Sequence, residues 1–520
     1  MFAMKSKNFR LLYIALLAVA AMAQTACKKW MVEVDEDPTN LSPNSYYTLP
    51  GHADAAVAAA YAQTRFIGGG AGIFASNFSM LEMVTGTART ETGQNTDLNN
   101  LLGLSYNGEN VFVANWWNGL YSVIAQANLC LDKVPGIQMD AAAKNRILGE
   151  ARFLRAWSYF YLVRLYGAVP LLTEPIYSAT DEKVYASRTS VDSVYDQIVT
   201  DLKEAENSGL PMTDASGRAS MGAVKSLLAE VYLTMAGHPL NKGQEYYQLA
   251  AQKSGEVIAS TAFSLFPDYH SLHDESKENI GEHIFMIQYL GGVANNDMQA
   301  IMLPNFKDVS AYDTEIGSTV PSVAFVNTFE AGDKRVEDRE GFFYTSYYDK
   351  GYEDLKNLGA PYIFKHFDVN AHGTFGKKGT TTSGLNRMNI RYAQVLLTFA
   401  EASNEASGPS QEAYDALKAI RDRAGLATPA LGSLTKDSFR DLILIERWHE
   451  LCYEGITWFD MVRLRKAYDF DTKTFVPFVG YKLVESGAVL EEKHLLFPLP
   501  TLEMQNNPNL RPQNPGYPGV

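Results

Sequence analysis

Cysteine is scarce: the 520 residues contain three, and Cys130 and Cys452 lie far apart in sequence. Each falls within an apolar helical pattern, so they read as buried free thiols rather than as a disulfide pair. Long hydrophobic runs are also missing. Beyond the first 26 residues no apolar stretch approaches the ~20 needed to span a bilayer as a helix. A surplus of basic charge is absent too, since the formal net charge is −14. That argues against nucleic-acid partners, which require concentrated Lys and Arg. The chain carries no Gly-x-Ser-x-Gly, no phosphate-binding loop and no His-Glu-x-x-His, so it offers neither an active site nor a cofactor site. His270 and His273, flanked by Asp268 and Asp274, are the one metal-like grouping. A three-residue spacing in a loop fits surface polar residues better than a metal centre.

What is present begins with a targeting segment. Lys5, Lys7 and Arg10 precede the 13-residue uncharged run Leu11 to Ala23, the layout of a signal peptide over residues 1–26. Its removal would take three positive charges and no acid, leaving −17. Ala21-Met22-Ala23 would suit ordinary cleavage. Gln24-Thr25-Ala26-Cys27 instead resembles a lipobox, although Gln24 replaces the usual aliphatic residue. Residues 27–50, acidic around Asp35-Glu36-Asp37 and holding Pro38 and Pro43, read as an extended tether.

The body is globular in composition, 46% hydrophobic and 20% charged, with periodic helices. A first helix is expected over about 53–66. A second carries Trp117, Tyr121, Ile124 and Asn128 on one face, and a third runs from about Asp140 to Tyr166, stopped by Gly167 and Pro170. Leu228, Ala229 and Tyr232, a Gly237/Pro239 break and Ala250-Ala251 form a tetratricopeptide-like pair. A second pair joins 389–406 to 411–424 across Gly408-Pro409. Between the pairs, residues 262–385 show little helical period but hold β-like runs such as Ile284 to Ile287. The expected fold is mostly α: a helix-pair scaffold over 51–261 and 386–520, interrupted by an irregular insertion at 262–385.

Four motifs in order carry a family resemblance. Glu150-Ala-Arg-Phe-Leu-Arg-Ala-Trp-Ser-Tyr-Phe-Tyr-Leu-Val-Arg-Leu-Tyr-Gly-Ala-Val-Pro170 is the longest. Arg421-Asp-Arg-Ala-Gly-Leu426 and Glu446-Arg-Trp-His-Glu-Leu-Cys-Tyr-Glu-Gly-Ile-Thr-Trp-Phe-Asp460 follow. The tail has Pro498-Leu-Pro500, Asn507-Pro508 and Gln513-Asn-Pro-Gly-Tyr517, and Pro321 to Arg335 looks like a mid-chain counterpart. Together they resemble the SusD/RagB family of outer-membrane nutrient-binding lipoproteins. The resemblance implies acylation of Cys27, a cell-surface position on the outer membrane, and a SusC-like TonB-dependent transporter as partner. It further implies non-catalytic binding of oligosaccharide, with peptide capture or a purely structural lid as the alternatives.

Read as structure, Phe153, Leu154, Trp157, Phe160 and Tyr161 form a core stripe. Glu446, Glu450 and Glu454, four apart, suggest one helical face neutralised by arginines, with Arg152, Arg155 and Arg463 as candidates. Acids on so aromatic a helix are expected in ion pairs rather than across a scissile bond. Sugars stack their C–H faces on aromatic rings and bond to amides, so the ligand site is sought in aromatic, Asn-rich loops. The 67–112 loop offers Phe74, Asn77, Tyr106 and Asn107. The insertion offers Tyr289, Asn295, Asn296, Tyr344 and Tyr347, all expected to be free of packing constraints. The anchor gives the first test. Cys27→Ala should abolish acylation and move the protein from the membrane to the soluble fraction. Unchanged fractionation, with Gln24 as a plain N-terminus in wild type, would establish ordinary cleavage instead.

Overall fold

The computed structural model describes residues 46–72, 74–304, 316–349, 353–376 and 382–519. Cys27 and the leader lie outside them. Ten longer helices make the frame: α1 (Pro50–Thr64), α2 (Val111–Lys133), α3 (Ala141–Tyr166), α4 (Val191–Glu206), α5 (Met221–Ala236), α6 (Gln244–Ala259), α7 (Tyr392–Ser407), α8 (Gln411–Arg423), α9 (Lys436–Glu450) and α10 (Thr457–Leu464). Their starts follow from sequence. Asp140, Ser220 and Ser410 each cap a first turn by accepting a backbone N–H, and Thr435 forms a capping box with Ser438. Successive helices from α1 to α6 pack on one another, and α6 then packs on α7, which carries α8 and α9. The helical stack therefore runs straight across the insertion, as small residues at Ala250, Ser254 and Ala400 allow. No described helix is long and apolar enough to cross a membrane.

The insertion is held by short antiparallel ribbons. β2 (His283–Ile287) pairs with β6 (Arg387–Arg391), and β4 (Phe343–Tyr348) pairs with β5 (Leu355–Ile363). β1 (Ala88–Arg89), from the 67–112 loop, pairs with β3 (Val320–Pro321) of the insertion.

Two clusters of buried charge tie the structure together, the first joining insertion to frame and the second joining helices of the frame. Arg391, at the end of β6, donates from Nε to both oxygens of Glu454 at 2.9 Å. Its Nη1 reaches Glu450 at 2.7 Å and Glu282 at 2.8 Å. Arg335 reaches Glu446 at 2.8 Å and Asp333 at 2.7 Å, while Arg423 reaches Glu450 at 2.6 Å. Lys365 pairs with Glu454, and Arg421 with Glu446. In the second cluster Arg463 grips Glu401 and Asp460, and Arg447 grips Asp460 at 3.0 Å and Glu230 at 3.3 Å. The expected neutralisation of the three glutamates is thus present, but not from Arg463, which holds Glu401 and Asp460, nor from Arg152 and Arg155. The last two pair with Glu204 and Asp201 of α4, their packing neighbour. Nor do the glutamates share one helical face: α9 ends at Glu450, and Glu454 stands in the turn beyond.

Burial alone would raise the Glu450 carboxyl, yet the guanidiniums of Arg423, Arg391 and Arg335 hold it below the ordinary range. Glu454, opposed in the same way by Arg391 and Lys365, falls to about 2. Glu450→Gln leaves two buried guanidiniums short of a counter-charge. It should lower unfolding stability by about 3–5 kcal/mol, measured by chemical denaturation. A loss below ~1 kcal/mol would mean that water already screens the cluster.

Candidate ligand-binding face

The 67–112 loop and the insertion meet where α1 runs out. Arg65 donates to the Gln288 carbonyl at 2.7 Å, and Ser79 and Thr319 share a hydroxyl hydrogen bond of 2.7 Å. Tyr362 donates to Glu91 at 2.5 Å. Gly68 is required at the junction, because a Cβ there would stand 2.4 Å from the Tyr289 hydroxyl. The loop is also tied to the motif after α9. Tyr453 donates to the Thr87 carbonyl at 2.9 Å, and the Gly455 amide donates to Glu82 at 2.8 Å. Burial lifts the Glu82 carboxyl to about 7, against the pull of that amide and of Arg387.

Of the aromatics and amides expected to be exposed, most are not. Tyr289 and Asn296 lie beneath the 68–70 turn. Asn296 donates to the Leu385 carbonyl, and Asn77 spends its amide on the Phe66 carbonyl while accepting from Asn115. Tyr106 stacks on Phe497 at 5.0 Å in the C-terminal tail, which places it and Asn107 away from the junction. Asn107 is exposed, but its side chain accepts the Glu109 amide. Tyr344 and Tyr347 belong to a third group, a small core with Tyr362, Phe364 and Phe367. In the insertion the β4–β5 ribbon buries its own rings in a local core, whereas Tyr106 and Asn77 of the loop are held by the tail and by neighbouring polar groups. Asn295 is half-buried and accepts the Gly292 amide at 2.6 Å. His273 is also interior: it bonds to the Phe367 carbonyl at 2.7 Å, and burial pushes it down to about 3.

Phe74 stands apart. It occupies the tip of a small hairpin closed by the Gly70–Ser76 bridge and by Ala71 N–H to Ala75 carbonyl at 2.8 Å. The ring is 41% exposed, and its backbone is left-handed at φ 57°. For a bulky residue this conformation costs on the order of 1–3 kcal/mol, and such strain gathers where a side chain is held for a ligand. The Asn95 amide donates to Ala71 at 3.0 Å and braces the hairpin from below. Leu290 and Val293, 60% and 80% exposed, sit on the turn following Tyr289. A search for aromatic and amide residues passes over them; the Gly291-Gly292 pair between them was the available signal for an exposed turn.

Helix pairs carrying a strand-and-loop surface are also the architecture of known proteins. Residues 324–517 match the SusD family model, and residues 71–233 match the model described as starch-binding, associating with outer membrane. A solved SusD superfamily protein from Parabacteroides distasonis is 38% identical, over 90% of this chain and 99% of that one, with a TM-score of 0.84. SusD-like protein P2 of Formosa agariphila is 27% identical over 98% of this chain and 100% of its own. Surface glycan-binding protein A of Bacteroides thetaiotaomicron, solved with laminarihexaose, shares the fold at 19% identity. That match covers 90% of this chain and 100% of that one, with a TM-score of 0.71. The chain belongs to the SusD family. The burial pattern separates scaffold from surface. Tyr344→Ala should lower unfolding stability by about 3–5 kcal/mol, as buried aromatic deletions do, while Phe74→Ala should change it by ~0.5 kcal/mol or less. Paired denaturation curves decide, and equal losses would remove Phe74 from the surface.

Proposed function

We propose that this protein captures oligosaccharide at the cell surface without cleaving it and passes it to a TonB-dependent outer-membrane transporter. A lipid on Cys27 holds it there. The observation that carries the reading is Phe74, an exposed ring fixed in a strained conformation beside the junction of loop and insertion. A flat ring held out by a braced hairpin gives a sugar face something rigid to stack on, and little conformational freedom is lost on binding. Family membership supports the ligand class. So do the relatives' names, among them a starch-binding protein of Bacteroides thetaiotaomicron and a laminarin-binding SusD-like protein. No step of bond cleavage is needed, and Glu446, Glu450 and Glu454 are committed to buried cations.

Titration calorimetry of the mature chain against malto- and laminari-oligosaccharides, with unstructured peptides as the contrasting panel, tests this. One glycan series should bind, and Phe74→Ala should weaken it at least tenfold, a factor worth about 1.4 kcal/mol. Peptide binding with no glycan response would transfer the protein to the peptide-capturing alternative. Binding untouched by Phe74→Ala would move the site elsewhere on the surface.

A further inference from the structure

A cavity of about 550 Å³ opens between α3, α4, α5, α10 and the C-terminal tail, and it shares no lining residue with the loop or the insertion. Its volume is that of a small-molecule pocket. Val163, Tyr195, Phe459, Val462 and Leu496 make most of its wall apolar, and three arginines, Arg164, Arg463 and Arg465, line it with them. Arg463 holds a carboxylate, as do Arg155, Arg335, Arg391, Arg421, Arg423 and Arg447, while the buried Arg339 and Arg387 bond to backbone carbonyls; Arg164 and Arg465 hold no carboxylate among the described residues. Arg164 lies between the rings of Phe160 and Phe459, 3.6 and 3.7 Å from their centroids. Its one hydrogen bond within the described residues runs from Nε to the Phe160 carbonyl at 2.9 Å. Arg465 has a buried Nη1 with no partner among the described residues.

The acids nearby are engaged or turned to solvent. Glu230 and Asp460 are bonded by Arg447 and Arg463, the Glu491 carboxylate pairs with Lys493 at 3.2 Å, and Glu492 is exposed. Burial accordingly lowers both guanidiniums' pKa values. A partly buried cation with no bonded counter-charge is costly, and a planar guanidinium meets a carboxylate with two parallel hydrogen bonds. We propose that this cavity binds an organic carboxylate on an apolar body about the size of a phenylalkanoate. The guanidiniums take the carboxylate, and Val163, Tyr195, Phe459 and Leu496 take the hydrocarbon. The same chemistry is offered by a free acid and by the last residue of a peptide ending in an apolar side chain.

The test uses the full mature chain in detergent, titrated by ligand-observed NMR with 4-phenylbutyrate, with acetyl-Ala-Phe, and with the amide of each. At least one acid should bind, its amide at least tenfold more weakly, and the better acid identifies the source. Arg465→Gln should weaken the acid at least tenfold and leave its amide unchanged, while Arg465→Lys should recover part of the loss. Arg164→Gln touches the core, so the outcome is decided on the Arg465 variants. Acid and amide binding alike, or no response from either acid at ~5 mM, a level at which even millimolar binding registers, would overturn the proposal.

Discussion

Carboxylates at 446, 450 and 454 are wholly out of water, and everything around them is arranged to answer that fact. Left alone, each would take up a proton or draw the interior open. The cations that prevent this come from every part of the architecture: Arg391 from β6, Arg421 and Arg423 from α8, and Arg335 and Lys365 from the insertion. Helix stacking could build the frame without the insertion. The ion cluster could not form without it, so the cluster makes an irregular 120-odd-residue segment part of one structure. Because the Glu454 carboxyl sits at about 2, its contribution is complete above the ordinary carboxylate range and fades only as pH falls toward that value.

The sequence was readable where a local rule decides the outcome. Helix α3 begins at Asp140 and stops at Gly167, positions that capping preference and a left-handed glycine dictate without tertiary help. The two helix pairs followed from small residues at helical spacing. The need for cations around Glu446 and Glu450 was also legible, since stacked like charges must be neutralised. Which cations was not. Arg155 is nearer in apparent logic but faces Asp201 across α4, and only the three-dimensional path of β6 brings Arg391 to Glu450.

The exposed aromatic surface was harder to read. Composition marked loop segments rich in aromatics but not which of their rings reach solvent. Tyr344 and Tyr347 look like Phe74 in sequence, each an aromatic in a polar loop. They differ in what lies across from them: Phe364 and Phe367 pack on Tyr344, which in turn meets Tyr347, while Phe74 stays exposed at the hairpin tip. Backbone conformation separates the cases better than residue type, and a left-handed phenylalanine is not encoded in any short-range pattern.

The ion cluster also sets the order in which the chain can become native. Arg391 and Arg335 lie 59 and 115 residues from Glu450, and Arg447 waits for Glu230 across 217. Closing loops of that length costs entropy before any contact repays it, so such pairs form late and folding is slow. Until residues 391 to 447 arrive, Glu282 and Glu230 lack the arginines that neutralise them and favour water. A chain built this way completes its core only once nearly all of it is present, and that keeps it pliable during synthesis and rigid afterwards.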